Sequence, residues 1–376
     1  MLFNQVIGQE DLKNRLRNFI RDGRIPHATL LHGAPGSGTL ALAIAFAQYA
    51  SCPNRTEEDA CGTCSTCQKF SSYQFADLYF SFPFFNISGK EITISDDWFT
   101  DWRSQLLETA YFDLDTWRAR LTAENKQLQV SVHEALNIIK KLSLKSYEGG
   151  YKFMVIWMPE FMRTDTANKL LKIVEEPPDN TLFIFVSQSL ENILPTMLSR
   201  VQVLRVPALK EQTIAEALVA RGMDAKHASD ISHFAAGDWN HAVRLSENHD
   251  PTALFATEFQ SWMRLCFKRD VGALVKWSER MHSLEREGQK HFLRYALEQV
   301  RQNMLLNCVG EELTRLNDME MDFSMKFARF INDSNVLELN EELTRAHEDI
   351  SRNAFSKMVF LDLSMKTHRL LQSQET

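Results

Sequence analysis

Cys52, Cys61, Cys64 and Cys67 follow the spacing C-x8-C-x2-C-x2-C, which puts four thiols within sixteen residues. Zn²⁺ takes four tetrahedral ligands, and two-residue gaps let successive sulfurs turn onto one ion; four protein ligands leave no position open for water. The pattern therefore predicts a structural zinc site. A C-x-x-C pair can instead serve redox chemistry, but two overlapping pairs with a fourth cysteine close by favour metal. Cys266 and Cys308 stand apart, on apolar helical faces, and are expected in the core.

A second constellation runs from Leu30 to Ala47, where an apolar strand, a turn containing Gly33, Gly36 and Gly38, and a helix succeed one another. This is the setting of a phosphate-binding loop. In G-x-x-x-x-G-K-[ST] the backbone N–H groups cradle phosphates, the lysine neutralises charge and the hydroxyl holds Mg²⁺. Aligned on Gly33 and Gly38, the lysine position is Thr39 and the hydroxyl position is Leu40. The partner strand should end in acids that hold Mg²⁺ and orient the attacking water. Here those positions are Trp157 and Met158, and Glu160 comes too late, after Pro159. One missing charge stabiliser costs an enzyme on the order of a hundredfold, and several are missing together. NTP hydrolysis by this chain is expected to be negligible.

A third candidate is Arg200, between a helix and the next strand. Read alone, it is a surface charge that complements a helix C-terminus.

The elements that must position these groups are short apolar runs at 28–32, 153–158, 181–187 and 201–206, separated by helical patterns. They predict buried parallel strands in an α/β layer. Residues 83–128 break the alternation and carry Trp98, Trp102 and Trp117; Trp98, Trp102 and Leu106 share a helical face, so an inserted helical hairpin is expected there. Residues 207–250, entered through Pro207, predict a small helical lid. After Pro251 no proline follows, and Phe255, Phe259, Trp262 and Met263, then Phe292, Ala296, Val300 and Met304, recur at helical steps. The expected division is 1–206, 207–250 and 251–376.

Composition narrows the function classes. The 376 residues carry 42 Lys plus Arg against 49 Asp plus Glu, a formal charge of -7, with 44% apolar residues. That apolar share supports packed cores and argues against disorder. A net acidic chain does not wrap nucleic acid by bulk charge. The N-terminus has no basic stretch followed by an apolar one, and no run of 18 apolar residues occurs, so a cytoplasmic protein without membrane contact is expected.

Val6-Ile-Gly-Gln9, Pro26-His-Ala28, the degenerate loop, the cysteine module, Asn168-Lys-Leu-Leu-Lys-Ile-Val-Glu-Glu-Pro-Pro178 and Ser199-Arg200 together resemble bacterial clamp-loader subunits of the AAA+ class. Within that class they are most similar to the delta-prime family of DNA polymerase III, which shares the zinc module and lacks a working phosphate site. The resemblance covers about residues 1 to 245. It implies an AAA+ domain, a lid and a helical collar domain in a ring with ATP-hydrolysing subunits and a delta subunit, acting on the sliding clamp and primed DNA. It also implies that Arg200, with Ser199, reaches a neighbouring subunit's ATP as an arginine finger. Two positions depart from the family pattern: Val201 replaces a cysteine, and Asn240 stands where a sensor arginine is expected. The alternatives are an ATP-hydrolysing motor subunit of the gamma/tau kind and a stand-alone zinc nucleic-acid binder.

Overall fold

The computed structural model describes residues 1–372 except 88, 91, 123–125, 248–250, 285, 311–313, 315 and 317. The chain divides into two compact units, Met1–Glu247 and Asn248–Thr376. The segment expected as a lid, 207–250, belongs to the first unit up to residue 247; its end at 250 lies outside the described residues.

The first unit opens with a 3₁₀ turn, Phe3–Gln5, then α1 (Glu10–Arg21), β1 (Ala28–Gly33), α2 (Thr39–Ser51), α3 (Ser65–Ser71) and β2 (Leu78–Ser81). It continues with α4 (Phe99–Glu108), α5 (Leu114–Arg120), α6 (Val132–Ser143), β3 (Lys152–Trp157), α7 (Thr164–Glu175), β4 (Thr181–Ser187), the single turn α8 (Pro195–Leu198) and β5 (Gln202–Val206). The strands form one sheet in the order β2-β3-β4-β1-β5, and every pairing is parallel. This is the parallel α/β sheet that the sequence implied. Strand β2 is an addition. Its four residues, Leu-Tyr-Phe-Ser, are too short a run to stand out from the aromatic stretch that follows.

Both faces of a parallel sheet are covered, so its strands need apolar residues on both sides. On β3, Phe153, Val155 and Trp157 enter one core with α2 and α4, while Met154 and Ile156 enter the other with α6 and α7. That alternation is the two-residue period of the strand. Helix α2 is buried from Leu40 to Ala50, which explains a sequence apolar on every side. It therefore runs through the core with the glycine turn at its N-terminal end and Cys52 at its C-terminal cap.

The described part of 83–128 packs into the same core. Trp102 and Trp117 are fully buried and meet edge to face at 5.2 Å, and Phe82 stacks on Trp102 at 4.2 Å. Helices α9 (Glu211–Ala220), α10 (Ala225–Phe234) and α11 (Trp239–Glu247) complete the unit around a small apolar cluster of their own, with Ile214, Leu218, Ala228 and Trp239.

The second unit consists of α12 (Pro251–Lys268), α13 (Val271–Ser283), α14 (Arg286–Val309), α15 (Asp318–Phe327), α16 (Val336–Ser351) and α17 (Ser356–Gln372) among the described residues. Trp262 stacks on Trp277 at 5.1 Å, with Phe292 and Phe360 beside them. Cys266 is buried as expected, and burial pushes its thiol well up from the ordinary value. Cys308 corrects the expectation, because it is exposed. The apolar face of α14 is buried through Val300 but only half-buried at Met304, so the last turn, which holds Cys308, runs past the core. Among the described residues no helix is long and apolar enough to cross a membrane.

Candidate functional site

The four cysteines converge. Cys52 ends α2, Cys61 lies on the following loop, Cys64 caps α3, and Cys67 occupies its first turns. Two sulfurs each about 2.3 Å from a tetrahedral ion stand about 3.8 Å apart. The observed separations are 3.6 Å for Cys52–Cys61, 3.9 Å for Cys52–Cys64 and 3.9 Å for Cys61–Cys67. All four ligand atoms lie within 4.8 Å of one another. Backbone N–H groups of Cys61, Cys64 and Cys67 point at the sulfurs of Cys52, Cys61 and Cys64 at 3.4 to 3.5 Å. Such donors orient thiolates and stabilise their charge. The N–H groups of Thr63 and Cys64 bring the Cys61 thiol down to about 6, whereas burial pushes Cys52 up and Cys67 up to about 12. A divalent cation is what such a mixed set requires to be fully deprotonated, and the geometry fits a closed Zn²⁺ site.

The phosphate loop keeps its backbone. Gly36 and Gly38 have φ of 69° and 89°, left-handed conformations that glycine adopts without strain. Ser37 N and Ser37 Oγ donate to Ala34 O at 3.2 and 2.7 Å. The chemistry around the loop has been replaced by core. Leu40, at the hydroxyl position, is buried, and Thr39, at the lysine position, is half-buried. Trp157, at the acid position, is buried with its ring 5.3 Å from Trp102 and 5.1 Å from Phe112. An acid there would be desolvated among rings. Met158 is buried too, and Glu160 turns toward the end of β4, where its Oε1 accepts from Gln188 N at 2.9 Å. Burial raises the Glu160 carboxyl above its ordinary value.

Two side chains that the motif reading did not single out cover the loop. A methyl at Gly38 would stand 2.9 Å from Tyr111 Oη, and one at Gly36 would collide with the Asp238 carboxylate. Tyr111 Oη accepts from Ile7 N at 2.8 Å. Trp239 N donates to Gly36 O at 3.3 Å, and Asp238 Oδ1 accepts from His241 N at 3.1 Å. Burial pushes the Asp238 carboxyl up. The glycine turn thus has an acid of the protein itself packed against Gly36. Asn240, at the expected sensor position, is also buried.

The covering elements are tied together by Arg244 of α11, whose Nη1 donates to Asp113 Oδ2 at 2.7 Å. Burial works to raise the Asp113 carboxyl, but the Arg244 charge and the Thr116 N–H outweigh it and hold the carboxyl below its ordinary value. Stability from this group is present above the unfolded carboxylate pKa of about 3.9 and is lost as pH falls through the lower folded value. The stability difference between wild type and Asp113→Asn, measured by denaturant unfolding, should therefore be constant near neutrality and shrink below about pH 4. A difference that grows on acidification would contradict the ion pair.

Arg200 lies far from this cleft. Gln202 pairs with Thr29 and Val206 with Gly33, so the start of β5 is at the opposite end of the sheet from the phosphate loop. The offset is roughly 13 Å over four residues, at about 3.3 Å per residue, and Arg200 precedes even Gln202. Its side chain cannot reach the loop of its own chain. Arg200 Nε donates to Glu175 Oε2 at 2.8 Å, and its Nη1 to Thr196 O at 2.8 Å and to the Ser199 hydroxyl at 3.3 Å. Glu175, the first acid of the Glu-Glu-Pro-Pro string, is the partner that the sequence reading had not assigned.

Residues 8–210 match the protein family described as DNA polymerase III, delta subunit. The DNA polymerase III subunit delta' of Yersinia pestis is 28% identical over 200 residues, covering 53% of this chain and 44% of that protein. The DNA polymerase III subunit tau/gamma of Haemophilus influenzae is 24% identical over 216 residues, covering 57% and 25%. The matched stretch thus spans less than half the length of either relative. Among solved structures, a DNA polymerase III gamma subunit-related protein of Thermotoga maritima aligns with a TM-score of 0.35 at 13% identity, over 95% of this chain and 99% of that one.

Proposed function

The chain belongs to the DNA polymerase III delta-subunit family, and from that membership we propose that it is a non-catalytic, delta-prime-like subunit of the clamp loader. In this reading it joins ATP-hydrolysing subunits and a delta subunit in a cytoplasmic ring that places the sliding clamp on primed DNA, and residues 251–376 contribute the collar. The observation that carries the non-catalytic part is the covered loop. Gly33, Gly36, Gly38 and Thr39 keep the turn, but Tyr111 and Asp238 occupy its approaches and Trp157 fills the acid position. A triphosphate at this turn would find the Asp238 acid beside Gly36 and neither the lysine nor the Mg²⁺-holding acid that it needs.

Arg200 is the group through which such a subunit would still act on chemistry. Its ion pair with Glu175 is partly exposed, and pairs of that kind contribute about 0 to 1 kcal/mol. The guanidinium is therefore held in shape yet released cheaply to a stronger anion. A neighbour's transferring phosphoryl group is such an anion, and Arg200 would stabilise the charge that develops on its oxygens. Zn²⁺ held by Cys52, Cys61, Cys64 and Cys67 would supply structure, since four protein ligands close its coordination.

Isolated chain should neither retain ATP on gel filtration nor turn it over with Mg²⁺ above the buffer blank. Appreciable Mg²⁺-dependent turnover would favour the motor-subunit reading, to which the similarity with tau/gamma chains also points.

A further inference from the structure

Residues 1–9 connect features that lie far apart in sequence. Phe3 N and Asn4 N, which open the 3₁₀ turn, donate to Asp59 Oδ1 and Oδ2 at 3.0 and 2.9 Å. The first N–H groups of a helical turn have no partner within it. Asp59 supplies one from the loop between Cys52 and Cys61. Gln48, on the helix that leads to Cys52, makes a second link: its Oε1 accepts from the Met1 nitrogen at 2.8 Å.

The same segment ends at the phosphate loop. Ile7 N donates to the Tyr111 hydroxyl that stands over Gly38. Gln9 Nε2 donates to Ser37 O at 3.0 Å, inside the loop, and to Pro207 O at 2.6 Å, where the chain enters the lid segment. Residues 1–9 are therefore a strap, fastened to the cysteine module at one end and drawn across the cleft at the other.

We propose that the metal-loaded cysteine module is the anchor of this strap, so that metal occupancy sets how firmly residues 1–9 seal the phosphate cleft. The inference rests on the zinc reading given above. Its physical basis is the loop geometry. Cys52 and Cys61 are the two ends of the loop that carries Asp59, and an ion shared by their sulfurs would fix both ends. Within the loop Thr56 N donates to Asp59 O at 2.8 Å and Tyr49 Oη to Thr56 O at 3.0 Å, so Asp59 follows its frame. Without the ion, the sulfurs hold that frame only by weak contacts. The buried side chains of Phe3 and Val6 remain, so the strap loosens rather than detaches.

Amide hydrogen exchange of the full chain, read by mass spectrometry, tests this. Zinc-loaded wild type, chelator-treated wild type and zinc-loaded Asp59→Ala are compared on a peptide covering residues 1–9, with residues 152–157 of β3 as the folding control. Metal removal and Asp59→Ala should each speed exchange in residues 1–9 by about tenfold or more, the equivalent of about 1.4 kcal/mol, with the β3 control unchanged. Metal analysis should still find one zinc in Asp59→Ala. Unchanged exchange in Asp59→Ala with zinc retained overturns the strap alone and leaves the zinc reading standing. Should chelation also expose β3, the Asp59→Ala arm decides. A chain purified without zinc overturns the metal's part in both readings.

Discussion

Arg200→Ala in a reconstituted clamp loader should lower DNA-stimulated ATP turnover at the neighbouring site by about 10³-fold or more, while the complex still assembles. The size of the effect follows from the role: an arginine finger acts only on charge that develops in the transition state, and its removal leaves that charge without a partner. Assembly should survive because Arg200 packs against no core. Its contacts are Glu175, Thr196 and Ser199 on the surface of the first unit. Arg200→Lys keeps the charge but loses the planar fork, so it should recover a minor part of the rate. Glu175→Gln, which removes the surface pair, should change the rate by less than about fivefold, since such a pair is worth about 1 kcal/mol or less. Steady-state turnover at saturating ATP and primed DNA measures all three. Wild-type turnover by Arg200→Ala in an intact complex would remove Arg200 from the mechanism.

The second large effect concerns the metal. Cys67→Ala, or exhaustive chelation, should abolish zinc binding and destabilise the first unit by several kcal/mol. Metal binding to structural sites is itself folding free energy, about 10 to 16 kcal/mol in finger peptides. That figure is an upper bound here, because the unit also has a large apolar core, running through α2, to hold it. Cys67 is buried and its thiol is pushed up to about 12, so without a cation it returns to a neutral thiol in an apolar setting. Scanning calorimetry with zinc-release measurement should show the unfolding transition of residues 1–247 move down while that of the helical unit stays in place. A chain that loses zinc with both transitions unmoved would contradict a structural role.

How much of this was open to inspection in the sequence differs from feature to feature. The cysteine spacing carried the four-thiol cluster because a C-x2-C-x2-C run brings sulfurs together through local backbone geometry. The inner strands carried the sheet because burial on both faces demands apolar runs; β2, four residues long, escaped, and the edge strand β5 is not fully buried as expected, with Val203 and Arg205 exposed and only Leu204 and Val206 buried. Cys308 misled because helical periodicity says which way a side chain points, but not whether the core extends that far along the helix. Tyr111 belongs to no motif and Asp238 only flanks the sensor position Asn240, and they meet the glycine turn from 73 and 202 residues away.

The sequence by itself determined that a phosphate loop had lost its lysine, hydroxyl and acids, and that one arginine followed a string shared with a known family. These are facts of residue type and local spacing. Only the tertiary structure decided what became of the vacated chemistry. It turned Trp157 into core, packed an acid and a tyrosine against the loop, and set Arg200 at the opposite end of the sheet, paired with Glu175 and out of reach of that loop. The physical reason is that strand register and helix packing join residues remote in sequence, and no local pattern records which of them will meet.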